Sequence, residues 1–233
     1  MVNPKKDSNN IGAIDNKGVG DIEITLYTDP LCIWSWAFEP QLVEIKIALG
    51  GRANWTLRMG GLISSWNNFH DEVNSVTRPA QMGPVWMHAS QIANRPVHHQ
   101  LWIFDPPASS YPSCIAVKCA QLQSAFLGEQ YLKLLREVCM IRGKNIARRT
   151  VLEEAALELS LTYPEFNVKL FSDDFDNENG MNSFRADLDL VRSFNINRFP
   201  AMIIKSAGKT ILISGYRRSS QVLDAIKQIV PDL

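Results

Sequence analysis

Apolar–polar alternation, the mark of a strand, occurs near the two ends of this 233-residue chain, and a long stretch of helical patterning lies between. That segregation restricts the fold more than any other feature. In DIEITLYTD (21–29), Ile22, Ile24 and Leu26 alternate with Glu23 and Thr25, and Asp29-Pro30 ends the run. From Ile33 to Leu49, Trp34, Phe38, Leu42, Ile45 and Leu49 recur at helical spacing, with Pro40 inside the run and predicted to kink it. ANWTLRMGG (53–61) is strand-like again and stops at two glycines. These segments make a β-α-β unit. At the other end, AMIIKSAGKTILISGYR (201–217) reads as a hairpin around Gly208, and SSQVLDAIKQIV as a closing amphipathic helix.

The predicted fold class is therefore α/β. One sheet is built from residues 21–62 and 197–233, and residues 63–196 form a large inserted helical domain. Residues 1–20 are expected to be a flexible tail. Within the insertion, Pro112 is predicted to open a helix running to about Leu127. GEQYLKLLREVCMIRG reads as helix, and so does the span 181–194. Thr150-x-x-Glu153 reads as a capping box. DDFDNENG (173–180) lacks calcium-loop ligand spacing and is expected to be a solvated acidic loop.

Composition excludes several function classes. The 24 basic and 24 acidic residues cancel, and no Lys/Arg block is dense enough for a nucleic-acid face. No run reaches the ~18 apolar residues of a membrane span, and no apolar core follows the first lysines as in a signal peptide. A cytoplasmic protein without nucleic-acid or membrane partners is the expectation. The four cysteines, Cys32, Cys114, Cys119 and Cys139, form no CxxC, and no zinc site is expected. His98-His99 has no ligand-like spacing, and there is no GxGxxG for a nucleotide.

The chemistry-bearing residue is Cys32 in DPLCIWSWAFEP (29–40). It stands at the start of the first helix, where free N–H groups and the positive end of the dipole favour a thiolate. Far along the chain, Asn197-Arg198-Phe199-Pro200 precedes the strand AMII. In this element order Pro200 comes close to Cys32, and a proline there is often cis, freeing the preceding backbone to pair with an extended substrate.

At these residues the chain resembles the thioredoxin superfamily, in its DsbA-like branch, over about 21–230. DPLCIWSWAFEP is similar to that family's active-site turn, and FPAMII to its cis-proline strand. DPPASSYPSCIAVKCAQLQ (105–123) is similar to part of the helical insert of cytoplasmic dithiol-disulfide isomerase-like members. The resemblance implies a thioredoxin-like fold, with Cys32 as the attacking cysteine and Pro200 as the cis-proline. Trp34 and Phe199 would shape the substrate site, Trp34 as an exposed platform and Trp36 as core.

Ser35 departs from the family's Cys-x-x-Cys. Serine cannot resolve a mixed disulfide. Either Cys32 acts as a monothiol with glutathione or another small thiol, or Cys114 or Cys119 resolves it, or Ser35 replaces a native cysteine. Ser35 Oγ could also hydrogen-bond the Cys32 thiolate. The leading expectation is a DsbA-like thiol-disulfide oxidoreductase or isomerase acting on a disulfide- or thiol-containing protein, peptide or small thiol. It needs no bound cofactor, and glutathione is a possible co-substrate. Two alternatives follow from related architectures. One is a glutathione-dependent isomerase or transferase of the kappa-class or hydroxychromene-carboxylate isomerase type, whose active-site serine stands where Cys32 does here. The other is a non-catalytic peptide-binding adaptor of a protease, because DPLC and AFEP also resemble the ClpXP adaptors.

Overall fold

The computed structural model describes residues 21–231 and 233, so the tail expected at 1–20 lies outside the described residues. Strand β1 (Ile22–Thr28) is followed by helix α1 (Ile33–Leu49) and strand β2 (Ala53–Met59). β1 and β2 pair in parallel, with Leu26 opposite Leu57 and Thr28 opposite Met59. A parallel pair needs a crossover, and α1 supplies it. At the far end, β3 (Ala201–Ser206) and β4 (Lys209–Ser214) form the expected hairpin, and α9 (Ser219–Lys227) closes the chain. β3 lies antiparallel to β1, which gives the sheet order β2-β1-β3-β4. This is the thioredoxin-like β-α-β and β-β-α arrangement.

The period-two pattern decides which side of β1 is buried against what. Ile22, Ile24 and Leu26 pack with Phe38, Ile45 and Leu49 of α1 and Val222 and Ile226 of α9. The alternate residue Tyr27 turns to the other face, with Ile203, Phe199 and Cys32. Ile45 is fully buried, so Ile45→Ala would cost about 2–5 kcal/mol.

Between the two sheet segments run α2 (Met82–Ala93), α3 (Leu101–Phe104), α4 (Tyr111–Gln123), α5 (Ala125–Arg136), α6 (Arg149–Thr162), α7 (Val168–Asp176) and α8 (Asn179–Ser193). α4 is the axis of this insertion. Its Cys114, Ala116, Val117, Cys119 and Ala120 are fully buried, and their small side chains let neighbouring helices approach from several sides. Leu31, Ile33, Trp36 and Met59 belong to the same apolar core as Trp86, Trp102 and Tyr131, so the insertion is packed onto the end of the sheet that carries Cys32. An ionic contact reinforces the joint. Buried Asp187 of α8 takes Lys118 of α4 at 2.8 Å, Arg58 of β2 at 2.8 Å and the Met59 N–H at 2.9 Å. Among the described residues, no helix is long and apolar enough to cross a membrane.

Four local expectations are corrected. The helix opened by Pro112 ends at Gln123, because the Ser124 hydroxyl accepts the Leu127 N–H at 3.1 Å and caps a separate α5. The later run is α-helical to Arg136 and then widens into a π-helical turn over Glu137–Ile141. Thr150 is not an N-cap. α6 begins at Arg149, so Thr150 already lies in the first turn, and Glu153 instead accepts Arg149 Nε at 2.6 Å. The acidic stretch is not a loop through its length: Asp173–Asp176 finish α7, which starts one residue after the Asn167 cap. Lys169–Asp173 adds an i,i+4 pair there.

Candidate functional site

Cys32 is the N-cap residue of α1. Its position follows from the turn after β1. The Asp29 carboxylate accepts the Leu31 N–H at 2.8 Å, and the Cys32 N–H donates to the Asp29 carbonyl at 3.1 Å. The turn is therefore closed by its own first residue. From the other end of the chain, the Phe199–Pro200 peptide is cis. The Cys32 thiol donates to the Phe199 carbonyl at 3.5 Å, across 167 positions of sequence. Cys32, Trp34, Phe199 and Pro200 are thus brought together.

Gly60 makes this meeting possible. A Cβ on Gly60 would stand 2.3 Å from the Phe199 ring, so only glycine admits the ring there. Gly60 is explained by the Phe199 ring, and Gly61 by its φ of +67°.

A cleft of about 920 Å³ opens over this floor, between the sheet end and the insertion. Cys32, Trp34 and Phe199 line it together with Leu62, Tyr111 and Tyr216. Trp34 is half-buried rather than free-standing: its ring lies 6.0 Å from both His88 and Tyr216. Trp36 is core, as expected, and the Arg95 guanidinium stacks on it at 3.2 Å from the ring centroid.

The electrostatics differ from the sequence expectation. Cys32 is 3% exposed, and burial pushes its thiol above the ordinary range. The Ser35 hydroxyl and backbone N–H pull it down, the Asp29 charge raises it, and Arg136 lowers it. Desolvation of a thiolate outweighs the helix start. Ser35 is buried beside the sulfur. Its Oγ favours the thiolate but makes no hydrogen bond of ordinary geometry among the described residues, so it is free to serve a thiolate or a bound thiol.

The other cysteines do not look like resolving thiols. All four are free and buried. Burial pushes Cys119 to about 12 and Cys139 higher still. Cys114 is also raised well above its ordinary value, by burial and then by the charge of Asp29, to which its thiol donates at 3.3 Å. Among the described residues, no group of His, Cys, Asp or Glu is arranged to hold a metal ion.

Two residues of the site escaped the sequence reading. In the sequence Asp29 reads only as a strand terminator. Its carboxylate is fully buried and also accepts the Leu62 N–H at 2.7 Å and the Ser110 hydroxyl at 2.7 Å, so it ties the Cys32 turn to the insertion. Burial raises its pKa, against the pull of these hydrogen bonds. Arg136 of α5 donates to the Thr28 hydroxyl, to the Asp29 carbonyl at 3.4 Å and to Glu39 at 2.9 Å. A lone Asx-turn signal marks Asp29; nothing in the helical pattern marks Arg136.

Comparison with known proteins bears on the fold. Among curated proteins, the ClpXP adapter protein SpxH of Halalkalibacterium halodurans is 25% identical over 78% of this chain. That of Bacillus subtilis is 26% identical over 78%. The chain spans only 58% and 57% of those relatives' own lengths. Among solved structures, a candidate protein disulfide isomerase from Nitrosomonas europaea matches with a TM-score of 0.70 at 19% identity, covering 89% of this chain and 98% of that one. Cytosolic disulfide reductase DsbM from Pseudomonas aeruginosa matches with a TM-score of 0.64 at 19% identity, covering 82% and 89%. The thioredoxin family profile matches residues 25–223. With that match over most of its length, the chain belongs to the thioredoxin family.

Proposed function

We propose that this protein is a cytoplasmic DsbA-like thiol-disulfide oxidoreductase that works through the single active-site sulfur of Cys32. The observation that carries this reading is the contact of Cys32 with the Phe199 carbonyl on the floor of the cleft. That carbonyl immediately precedes the cis bond and is the group an extended substrate would use for backbone pairing. In the free protein it accepts the thiol proton, which favours the neutral thiol. An incoming substrate N–H competes for the same oxygen, so binding weakens the hold on that proton.

The step is an exchange. The Cys32 thiolate attacks one sulfur of a substrate disulfide, a Cys32–S–S–substrate bond forms, and the other substrate sulfur leaves as a thiolate. A glutathione thiolate then attacks the mixed disulfide, takes the substrate sulfur and returns Cys32 as thiolate. Cys32 is the catalytic group and Ser35 its neighbouring hydroxyl. Trp34, Phe199 and Pro200 bind the substrate. The solved structure of cytosolic DsbM with GSH supports a glutathione partner on this fold.

A second reading is favoured by two observations. The sulfur is buried with a raised pKa, and the curated relatives are named as ClpXP adapters. On that reading the cleft holds a partner segment without exchange. The deciding experiment is incubation with oxidised glutathione between about pH 7 and 9, followed by peptide mass spectrometry, with Cys32→Ala as control. A glutathione adduct confined to Cys32 and removed by reduced glutathione is expected. Saturable glutathione binding without adduct or exchange would favour the transferase type. No adduct on the native protein, with ready modification once it is unfolded, would overturn the exchange reading in favour of the adaptor.

A further inference from the structure

A second cavity, sharing no lining residue with the cleft, lies behind the active-site turn. It holds about 340 Å³ between the later turns of α1, the β1–β2 edge and α5. Its walls are apolar: Leu42 and Val43 of α1, Trp55 and Leu57 of β2, and Leu132 of α5. At ~30 Å³ for a water's share of liquid volume, the space equals roughly eleven waters, which is room for a medium-length alkyl chain.

The charges around it do not balance. The lining holds Lys46, Arg95, Lys133 and Arg136 against Glu39 and Glu129. Lys46 is matched by Glu129 at 3.0 Å and stands 5.3 Å from the Trp55 ring. Glu39 is shared by two guanidiniums, Arg95 and Arg136, each at 2.9 Å. Lys133 is exposed at the rim and has no ion pair among the described residues. Arg136 is 4% exposed, and its Nε has no hydrogen-bond partner among the described residues. An apolar pocket with a surplus of cations suits an apolar chain that carries one acid group.

The same arginine reaches the active-site turn. It donates to the Asp29 carbonyl, which also accepts the Cys32 N–H. We propose that this cavity binds a medium-chain carboxylate, and that its occupancy is transmitted through Arg136 to the reactivity of Cys32. The coupling half rests on the exchange reading of Cys32; the binding half does not. An anion beside Arg136 offsets the positive charge that helps to hold a Cys32 thiolate, so an occupied cavity slows thiolate chemistry.

The probes are octanoate, octanol and octylamine, titrated into the full chain by calorimetry. Octanoate is expected to bind one to one with a Kd below about 1 mM, and at least about ten-fold more tightly than octanol or octylamine. Lys133→Glu removes the rim cation from an exposed position, and Val43→Trp fills the mouth; each is expected to weaken octanoate about ten-fold or more. Saturating octanoate is expected to slow iodoacetamide modification of Cys32 by about three-fold or more. Equal affinity for octanol, no measurable binding, or unchanged affinity in both variants would overturn the site. Binding without any change at Cys32 would overturn the coupling. Octanoate binding in a protein that forms no glutathione adduct would refute the exchange reading and leave the site standing.

Discussion

Replacing Asp29 by alanine removes a buried carboxylate that joins the Cys32 turn to the insertion. The side chain accepts four donors: the Leu31 and Leu62 N–H groups, the Ser110 hydroxyl and the Cys114 thiol. Ser110 keeps the Ile63 carbonyl, at 3.5 Å, as a second acceptor, and a thiol is a weak donor. The loss is therefore mainly that of two buried backbone N–H groups, each costing about 1–3 kcal/mol when left unpaired. Relief from burying a charge works the other way, since desolvation raises the Asp29 pKa despite its hydrogen bonds. A net loss of about 2–5 kcal/mol is expected for Asp29→Ala. Asp29→Asn keeps one oxygen for the Leu62 and Ser110 donors and turns its amide toward the Leu31 N–H, so about 1–3 kcal/mol is expected. Urea denaturation reads both. With an m-value of roughly 2–3 kcal/mol/M, the midpoint falls by about 1–2 M in the alanine variant and by less in the asparagine variant. A midpoint unchanged in Asp29→Ala, or equal losses in the two variants, would refute the assignment of Asp29 as the pin of the turn.

Other expectations follow from the same structure. Ser35→Ala removes a group that lowers the Cys32 pKa, so alkylation near pH 8 should slow by a few fold; faster alkylation would contradict the placement of the hydroxyl. The buried thiols have folded pKa values raised above the unfolded one. The folded state therefore keeps protons that the unfolded chain releases, and stability is lost as pH rises above about 8.5, by up to ~1.4 kcal/mol per pH unit for each thiol. Denaturant titrations that stay flat from about pH 8 to 10 would disprove this. Gly60→Ala drives a methyl group into the Phe199 ring, so it should lower the thermal midpoint and suppress the glutathione adduct at Cys32 together; a normal adduct would show that the ring can move aside. Lys118→Met leaves Asp187 with Arg58 alone as counter-charge and is expected to cost about 2–4 kcal/mol. A double-mutant cycle with Asp187→Asn that gives no coupling would exclude a contribution from that pair.

Much of the architecture was legible in the sequence because it is written in local periods. The alternation of Ile22, Ile24 and Leu26 gave β1 and its buried face, and Gly208 gave the hairpin, within a residue or two of the observed limits. The errors fell where two local signals competed. Thr150-x-x-Glu153 has the form of a cap, but Arg148 already holds that place, and Glu153 is drawn to Arg149. The acidic run after Ser172 has the composition of a loop, but the Asn167 cap and the Lys169–Asp173 pair carry the helix through its first half.

By itself the sequence determined the order of elements, the place of Cys32 at a helix start and the Phe-Pro step before a strand. Each is a property of neighbours along the chain. Only the tertiary structure decided what surrounds the sulfur. Phe199 is seated against it because Gly60 has no side chain. Asp29 is locked by Ser110 and Leu62, and Arg136 reaches the turn from α5. These partners come from segments far apart and carry no periodic signature. Desolvation depends on all of them at once, which is why a helix-start cysteine that promised a ready thiolate is instead a buried thiol with a raised pKa.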